Sequence, residues 1–283
     1  MLTIPKVLTI STEWRDMLTS IANWQQILTA LMRKQATIKI VFKNGVQIEA
    51  DREMFWLMKN IFFRHVYTPA PLSIGEHDVI VDIGAHIGVF TVFAASITHK
   101  TVYAFEPSPN NFASLEQNVQ ASHLTNVIAQ HCAVSDTIGS TQLLLHHNTS
   151  LGNTLSGHFS PEKLESYKNL DGTLPFDPPV VGSMHHAQLV QVPTTTLQEI
   201  MDRYHIEQID FLKMDCEGSE GPILHSLPPN YLRRVRQIAM EFHDHLSSLH
   251  HEDIQLLLEQ AGFLVKLQWD QHSAFGYLYA WKR

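Results

Sequence analysis

Two periodicities of hydrophobic and polar positions run along the chain, and the change between them divides it. Over residues 12–34 (TEWRDMLTSIANWQQILTALMRK) Trp14, Leu18, Ile21, Ile27, Leu28 and Leu31 recur at helical spacing, and Arg33 and Lys34 stand in the last turn. This spacing predicts one amphipathic helix. TIKIVFKNGVQIEA (37–50) then alternates, with Ile38, Ile40 and Phe42 on one face, a break at Asn44-Gly45, and Val46 and Ile48 beyond it. Asn-Gly between alternating runs predicts a two-residue hairpin turn with both central residues at positive φ. Residues 1–75 are therefore expected to form an α+β extension ahead of a main domain at 76–283.

From residue 78 the pattern becomes short runs apolar on both faces, each followed by a helical stretch. DVIVDIG (78–84), KTVYAFEP (100–107), NVIAQHCAVSD (126–136), IDFLKMD (209–215) and VRQIAMEFH (235–243) read as strands. VFTVFAAS, NNFASLEQNVQ, a short segment after 215 and residues 252–261 read as helices, and FLVKLQW (263–269) with FGYLYAW (275–281) as a closing antiparallel pair. Such alternation implies an α/β fold with a mostly parallel sheet covered on two sides. After TQLLLHH (141–147), residues 148–188 are interrupted by Asn, Ser, Gly and Pro, including FDPP at 176–179. A long irregular stretch inside a compact domain suggests a cap over a substrate or a flexible insertion.

Composition narrows the function classes. Of 283 residues, 44% are hydrophobic and 17% charged, against about 25% charged in typical soluble domains, which excludes a disordered chain. The net charge of −8 weighs against nucleic acid as a partner, since a phosphate backbone calls for a basic footprint. Cys132 and Cys216 fit neither a disulfide framework nor a zinc site. With no signal-peptide pattern and no long apolar run, the expectation is a cytoplasmic protein without a membrane partner. The N-terminal aromatics Trp14, Trp24, Trp56, Phe62 and Phe63 are expected in the core or on a homodimer surface.

The candidate chemistry gathers at strand ends. Asp82-Ile83-Gly84-Ala85-His86-Ile87-Gly88 ends one strand and opens a helix, where a glycine turn lets backbone approach a ligand. His86 replaces the second glycine of the dinucleotide fingerprint, which disfavours a pyrophosphate; a tight turn with no ligand is the plainer alternative. Glu106 ends the next strand, 24 residues after Asp82, where a carboxylate can accept from ribose hydroxyls. Asp215 and Glu217, in LKMDCEGSE, are two apart and would share a side if extended; Glu241 and His243 repeat this spacing at the end of the following strand. Carboxylates beside an imidazole suit general base work, or alternatively a salt-bridge network with Lys213 and Arg236. Cys216 would alternate away from the acids as a small buried hydrophobe.

VIVDIGAHIGVFT, VYAFEPSPNNF, AVSD, IDFLKMDCEGSE and IAMEFH, in this order and spacing, closely resemble the FkbM family of S-adenosylmethionine-dependent methyltransferases, from about residue 60 to the C-terminus. The resemblance implies a class I methyltransferase fold, Rossmann-like, with a seven-stranded sheet carrying an antiparallel hairpin at one edge. It implies methyl transfer from S-adenosylmethionine to a hydroxyl of a small molecule: a natural product, a sugar or a carrier-tethered intermediate. Carried over, Asp82, Gly84 and Gly88 would line the methionine end of the donor, and Thr91 would contact its carboxylate or amino group. Glu106 would hold the ribose, and Ala133 and Ser135 would border the adenine. Asp215 would sit near the sulfonium, while Glu217, Glu241 and His243 would face the acceptor, with His243 as base oriented by Glu217 or Glu241. His86 stands where the family commonly has Asn; both tolerate unusual backbone angles. The alternatives are a divalent metal at Asp215, Glu217 and His243, a non-catalytic binding subunit, and a nucleic-acid methyltransferase. Tyr67, shortly before the first strand of the main domain, is a weaker candidate for the donor site.

Overall fold

The computed structural model describes residues 12–146, 154–155, 187–269 and 275–282. The lead-in comprises α1 (Thr12–Ser20), α2 (Trp24–Met32), the antiparallel pair β1 (Thr37–Val41) and β2 (Gln47–Asp51), and α3 (Arg52–Phe62). The main sheet is built from β3 (Ile80–Ile83), β4 (Val102–Phe105), β5 (Val127–Gln130), β10 (Ile209–Met214), β11 (Val235–His243), β12 (Leu264–Gln268) and β13 (Phe275–Trp281). Its order is β12-β13-β11-β10-β3-β4-β5, parallel from β11 through β5 and antiparallel at β13 and β12. This is the class I methyltransferase arrangement.

Strand residues of the central sheet alternate between two cores. Ile80, Val102, Phe211, Ala239 and Tyr279 pack with the lead-in and with α4 (Val89–Ala95). Val81, Tyr103, Leu212, Met240 and Leu278 pack on the other face, against helices α6 (Leu197–Arg203), α7 (Glu220–Ser226) and α8 (His251–Gln260). A period of two with both faces buried is what the near-continuous apolar runs encode. The reversal of strand order between β3 and β10 places a crevice at their carboxyl ends, where such sheets bind ligands.

The lead-in helix is two helices. Asn23 donates from Nδ2 to the Lys39 carbonyl (2.8 Å) and accepts at Oδ1 from Val41 N (2.9 Å), which draws the chain onto β1 and breaks the helical phase. Met17, Ile21, Ile27 and Ala30 are therefore buried, while Leu18 and Leu28 lie 47% and 53% exposed. In the hairpin only Gly45 has positive φ (+94°). Its N–H meets the Phe42 carbonyl at 3.0 Å, closing a three-residue loop instead of a two-residue turn. The apolar stretch 126–136 also divides: β5 stays in the main sheet, and β6 (Ala133–Val134) joins a four-stranded sheet with β9 (Ala187–Thr195), β7 (Gly139–His146) and β8 (Thr154–Leu155). Cys132 N bonds back to the Gln130 carbonyl at 3.1 Å, making the turn that separates them. Most of the stretch read as a cap, 148–188, lies outside the described residues, as does the Trp14 side chain; Trp56 is 59% exposed. Among the described residues no helix is long and apolar enough to cross a membrane.

Helix α5 (Pro109–Ala121) ties the lead-in to the main sheet. Asn118 on α5, buried, accepts from Glu49 N (2.7 Å) and donates to the carbonyls of Glu49 (3.3 Å) and Ile87 (2.8 Å). Ser122, its C-cap, accepts from Gln47 N (3.0 Å) and donates to the Gln47 carbonyl (2.8 Å). The two side chains thus continue the hydrogen-bond ladder along β2. Replacing Asn118 by Ala strands a backbone donor, which costs about 1–3 kcal/mol. Thermal unfolding is expected to shift down by roughly 2–4 °C per kcal/mol; an unchanged midpoint would show that the ladder does not hold the lead-in.

Candidate functional site

The site begins at the glycine turn between β3 and α4. Gly84 has φ +74°, and a Cβ there would fall 1.8 Å from the Asp215 carbonyl oxygen; Gly88 has φ +85°, with Leu115 Cδ1 at 2.5 Å. Both positions demand glycine because protein already fills the space beside them. The turn is held from below by Lys213, whose Nζ lies 3.1 Å from Asp82 Oδ1 and donates to the Gly84 carbonyl at 2.6 Å. Burial opposes the charge on Lys213, but Asp82 and Asp215 outweigh it and leave its pKa raised. Asp82 and Thr91 are both fully buried, and the Thr91 hydroxyl donates to Asp82 Oδ2 at 2.6 Å. Both side chains, expected at the methionine end of the donor, have no exposed surface here and anchor the turn.

Glu106, at the end of β4, is also buried. Its Oε2 accepts from His86 N (2.8 Å) and Oε1 from Ser108 N (2.9 Å), with Asn111 Nδ2 at 3.5 Å. Burial pushes its pKa up to about 7, and the backbone donors of Ser108 and His86 pull only part of the way back. His86 takes φ +55° in the turn, which aims its backbone N–H at this carboxylate.

At the ends of β10 and β11 a second group converges. One ligand-type atom each of Asp215, Glu217 and His243 lies within 4.8 Å of the others. The chain is not extended there: Glu217 has φ +53°, and a left-handed turn brings the acids together. His243 is buried, with Nδ1 3.2 Å from Glu220 Oε1 and Nε2 3.6 Å from Glu217 Oε2 and 3.9 Å from Glu241 Oε1. Burial pulls the His243 pKa down, but Glu217, Glu220 and Glu241 more than reverse this and hold it well above the usual imidazole range. Glu241 is pushed up to about 8, chiefly by burial and then by Asp215.

Several participants stand apart from the sequence reading. Glu220, buried, accepts from Cys216 N (2.8 Å), Gly218 N (3.0 Å) and His243, and so orients the imidazole in place of Glu217 or Glu241. Its signal was present in the motif, as the last acid of LKMDCEGSE. Cys216 packs against the second core, and burial, then Glu220 and Asp215, raise its thiol pKa well above the usual range. Lys213 pairs with Asp82, and Arg236 with Asp210 (3.2 Å), so neither neutralises the acid–histidine group as a direct salt-bridge partner. Ala133 packs among Leu143, Leu155 and Val192 in the small sheet, and Ser135 donates to Asp136 Oδ1 (2.9 Å). Of the two residues expected to border the adenine, Ala133 is thus packed into the small sheet and Ser135 has its hydroxyl turned to its own neighbour.

Residues 82–265 match the family model described as the methyltransferase FkbM domain. The chain is 31% identical over 229 residues to 31-O-demethyl-FK506 methyltransferase FkbM of Streptomyces tacrolimicus, covering 77% of this chain and 85% of that protein. It is 28% identical over 250 residues to methyltransferase sdnD of Sordaria araneosa, covering 80% and 93%. A solved methyltransferase FkbM from Methylobacillus flagellatus superposes with a TM-score of 0.47 at 14% identity, covering 82% of this chain and 56% of that one. The match over 82–265 identifies the chain as a member of the FkbM methyltransferase family, with S-adenosylmethionine as its methyl donor.

Proposed function

We propose that the chain methylates a hydroxyl oxygen of a small molecule, a natural product or sugar, free or carrier-bound, with His243 as the general base. The observation that carries this reading is the tethering of His243 Nδ1 to buried Glu220, which turns Nε2 toward the partly exposed Glu217 and Glu241. An ionised carboxylate only accepts, so Nδ1 carries the hydrogen and Nε2 is the atom that takes a proton. The relative named for 31-O-demethyl-FK506 supports oxygen as the acceptor atom.

The donor supplies an already activated methyl on a sulfonium, so the protein's work is alignment and proton removal. Glu106 fits the ribose of such a donor by its chemistry. An ionised carboxylate offers about four acceptor positions; His86 N and Ser108 N take two at good length, and Asn111 reaches only to 3.5 Å. The remaining capacity suits hydroxyl hydrogens. Asp215 offsets the sulfonium charge, and Glu217, Glu241 and His243 receive the acceptor hydroxyl and its proton.

The same geometry favours one second reading. Asp215, Glu217 and His243 lie close enough together to share a cation, and a divalent ion of the Mg²⁺ type would acidify the hydroxyl directly. Turnover unaffected by EDTA removes that reading; loss restored by added Mg²⁺ replaces the base mechanism with it.

Two measurements test the assignments. Because an ionised Glu106 accepts from two hydroxyls more strongly than its protonated form and burial pushes its pKa up to about 7, donor-site affinity weakens as pH falls through that value. Calorimetry with S-adenosylhomocysteine should give a Kd that is flat above pH 7 and weakens by up to ~10-fold per unit below it; a flat profile down to pH 5.5 removes Glu106 from the site. His243 starts protonated and must release its proton to act as base, so methyl transfer should climb with pH from 6 to 9. His243→Ala should lower turnover by about 10²–10⁴-fold, measured with labelled donor and a hydroxyl acceptor that the wild type methylates. Intact turnover with weaker acceptor binding would sink the base role.

A further inference from the structure

A buried tyrosine from outside the matched stretch reaches the centre of this site. Tyr67 lies between α3 and β3, and its hydroxyl donates to Asp215 Oδ2 at 2.8 Å. Its ring stands edge-on to Phe90 (5.5 Å) and Tyr277 (6.0 Å), and Lys213 Nζ lies 5.4 Å from its centroid. Burial and then Asp215 and Glu241 raise the pKa of the phenol, so it stays a donor at every working pH.

The segment that carries Tyr67 is fastened at both ends to the main sheet. Tyr279, on β13, donates its hydroxyl to the Val66 carbonyl at 2.8 Å. Gln237, on β11, accepts from Ser73 N and donates to the Ser73 carbonyl, each at 3.0 Å. Tyr67 therefore has a fixed origin, a packed ring and one polar partner. Asp215 in turn follows β10 directly and meets the glycine turn through its own backbone, its N–H bonded to the Ile83 carbonyl at 3.1 Å. Its carboxylate feels the charge of Lys213 and also groups with Glu217 and His243. A neutral donor at fixed distance selects one rotamer without cancelling the charge.

We propose that Tyr67 is a positioning residue: it fixes the Asp215 carboxylate in the orientation that favours the positively charged donor over its neutral demethylated product. The proposal rests on the reading of Asp215 as the counter-charge of the sulfonium. It goes beyond that reading in assigning control of Asp215 to the lead-in, which residues 82–265 do not include.

The test is a double-mutant cycle read by calorimetry, with S-adenosylmethionine and S-adenosylhomocysteine titrated separately into the full chain. Tyr67→Phe keeps the ring contacts and removes one hydrogen bond. It should lower the ratio of donor to product affinity by about 3–10-fold, with product affinity unchanged. Asp215→Asn should lower the same ratio by about 10-fold or more. In the Asp215→Asn background, Tyr67→Phe should then add less than about 2-fold, because the charge it positions is gone. A Tyr67→Phe ratio that is unchanged or raised overturns the proposal, as does equal weakening of both ligands or an effect of the same size in both backgrounds. An Asp215→Asn ratio equal to wild type overturns the counter-charge reading itself, and the two failures are told apart by that single variant.

Discussion

The buried ion pair between Lys213 and Asp82 is the constraint on which the site depends. Both side chains are almost wholly withdrawn from water, 4% and 0% exposed, and each belongs to a different central strand. Register places them opposite one another across β10 and β3. Removing one partner from such a pair typically costs about 3–5 kcal/mol, since the other is left charged and unsolvated. Its geometry also does what an apolar pair of equal volume would not. Lys213 has donors left over after pairing and spends one on the Gly84 carbonyl, while Asp82 accepts the Thr91 hydroxyl. Strand β3, the turn and α4 are thereby locked to β10, and the backbone of the glycine turn is set by buried side chains beneath it.

The acids at the surface of that frame are held at a cost to the fold. Raising Glu106 from 4.5 to about 7 corresponds to about 3 kcal/mol against its ionised form. The sign places the penalty at neutral and alkaline pH: the protonated, folded form is favoured below the unfolded value, and this advantage is lost as pH rises to 7. Glu217 in a left-handed conformation adds strain of order 1–3 kcal/mol. Both stand at the carboxyl edge of the central strands, where open α/β sheets bind ligands.

What the amino-acid sequence reveals of this arrangement follows from how local each determinant is. The strands of the main sheet are legible because burial on both faces leaves unbroken apolar runs such as Val235–His243, whose limits coincide with β11. The order of acids at their ends follows from the same runs. Asn23 and the 131–132 turn are not legible, because side-chain hydrogen bonds to a distant strand break a periodic pattern without altering it. The convergence of Asp215 and Glu217 was readable, but not its cause: period-two alternation stops at Met214, and a positive φ at a glutamate leaves no trace in residue type. Glu220 is hidden in the sequence for a related reason. An acid at the start of a helix reads as a favourable surface charge, and only the fold shows it 1% exposed beneath His243.

Two tyrosines mark the division of labour in the finished site. Tyr277 faces Glu241 across the β11–β13 ladder, and Tyr67 hydrogen-bonds Asp215. Both lie outside residues 82–265, and their rings meet at 6.0 Å. The acids thus come from the ends of the parallel strands, and the two phenols from the segments that flank residues 82–265. A phenol is suited to a place beside acids because it donates one directed hydrogen bond, brings a rigid apolar body to close the wall, and stays uncharged beside carboxylates that raise its pKa further. Tyr67 meets the Lys213–Asp82 lock through its ring, with Lys213 Nζ 5.4 Å from the centroid, while its hydroxyl is given to Asp215, so one side chain joins the lead-in to both the lock and the acids.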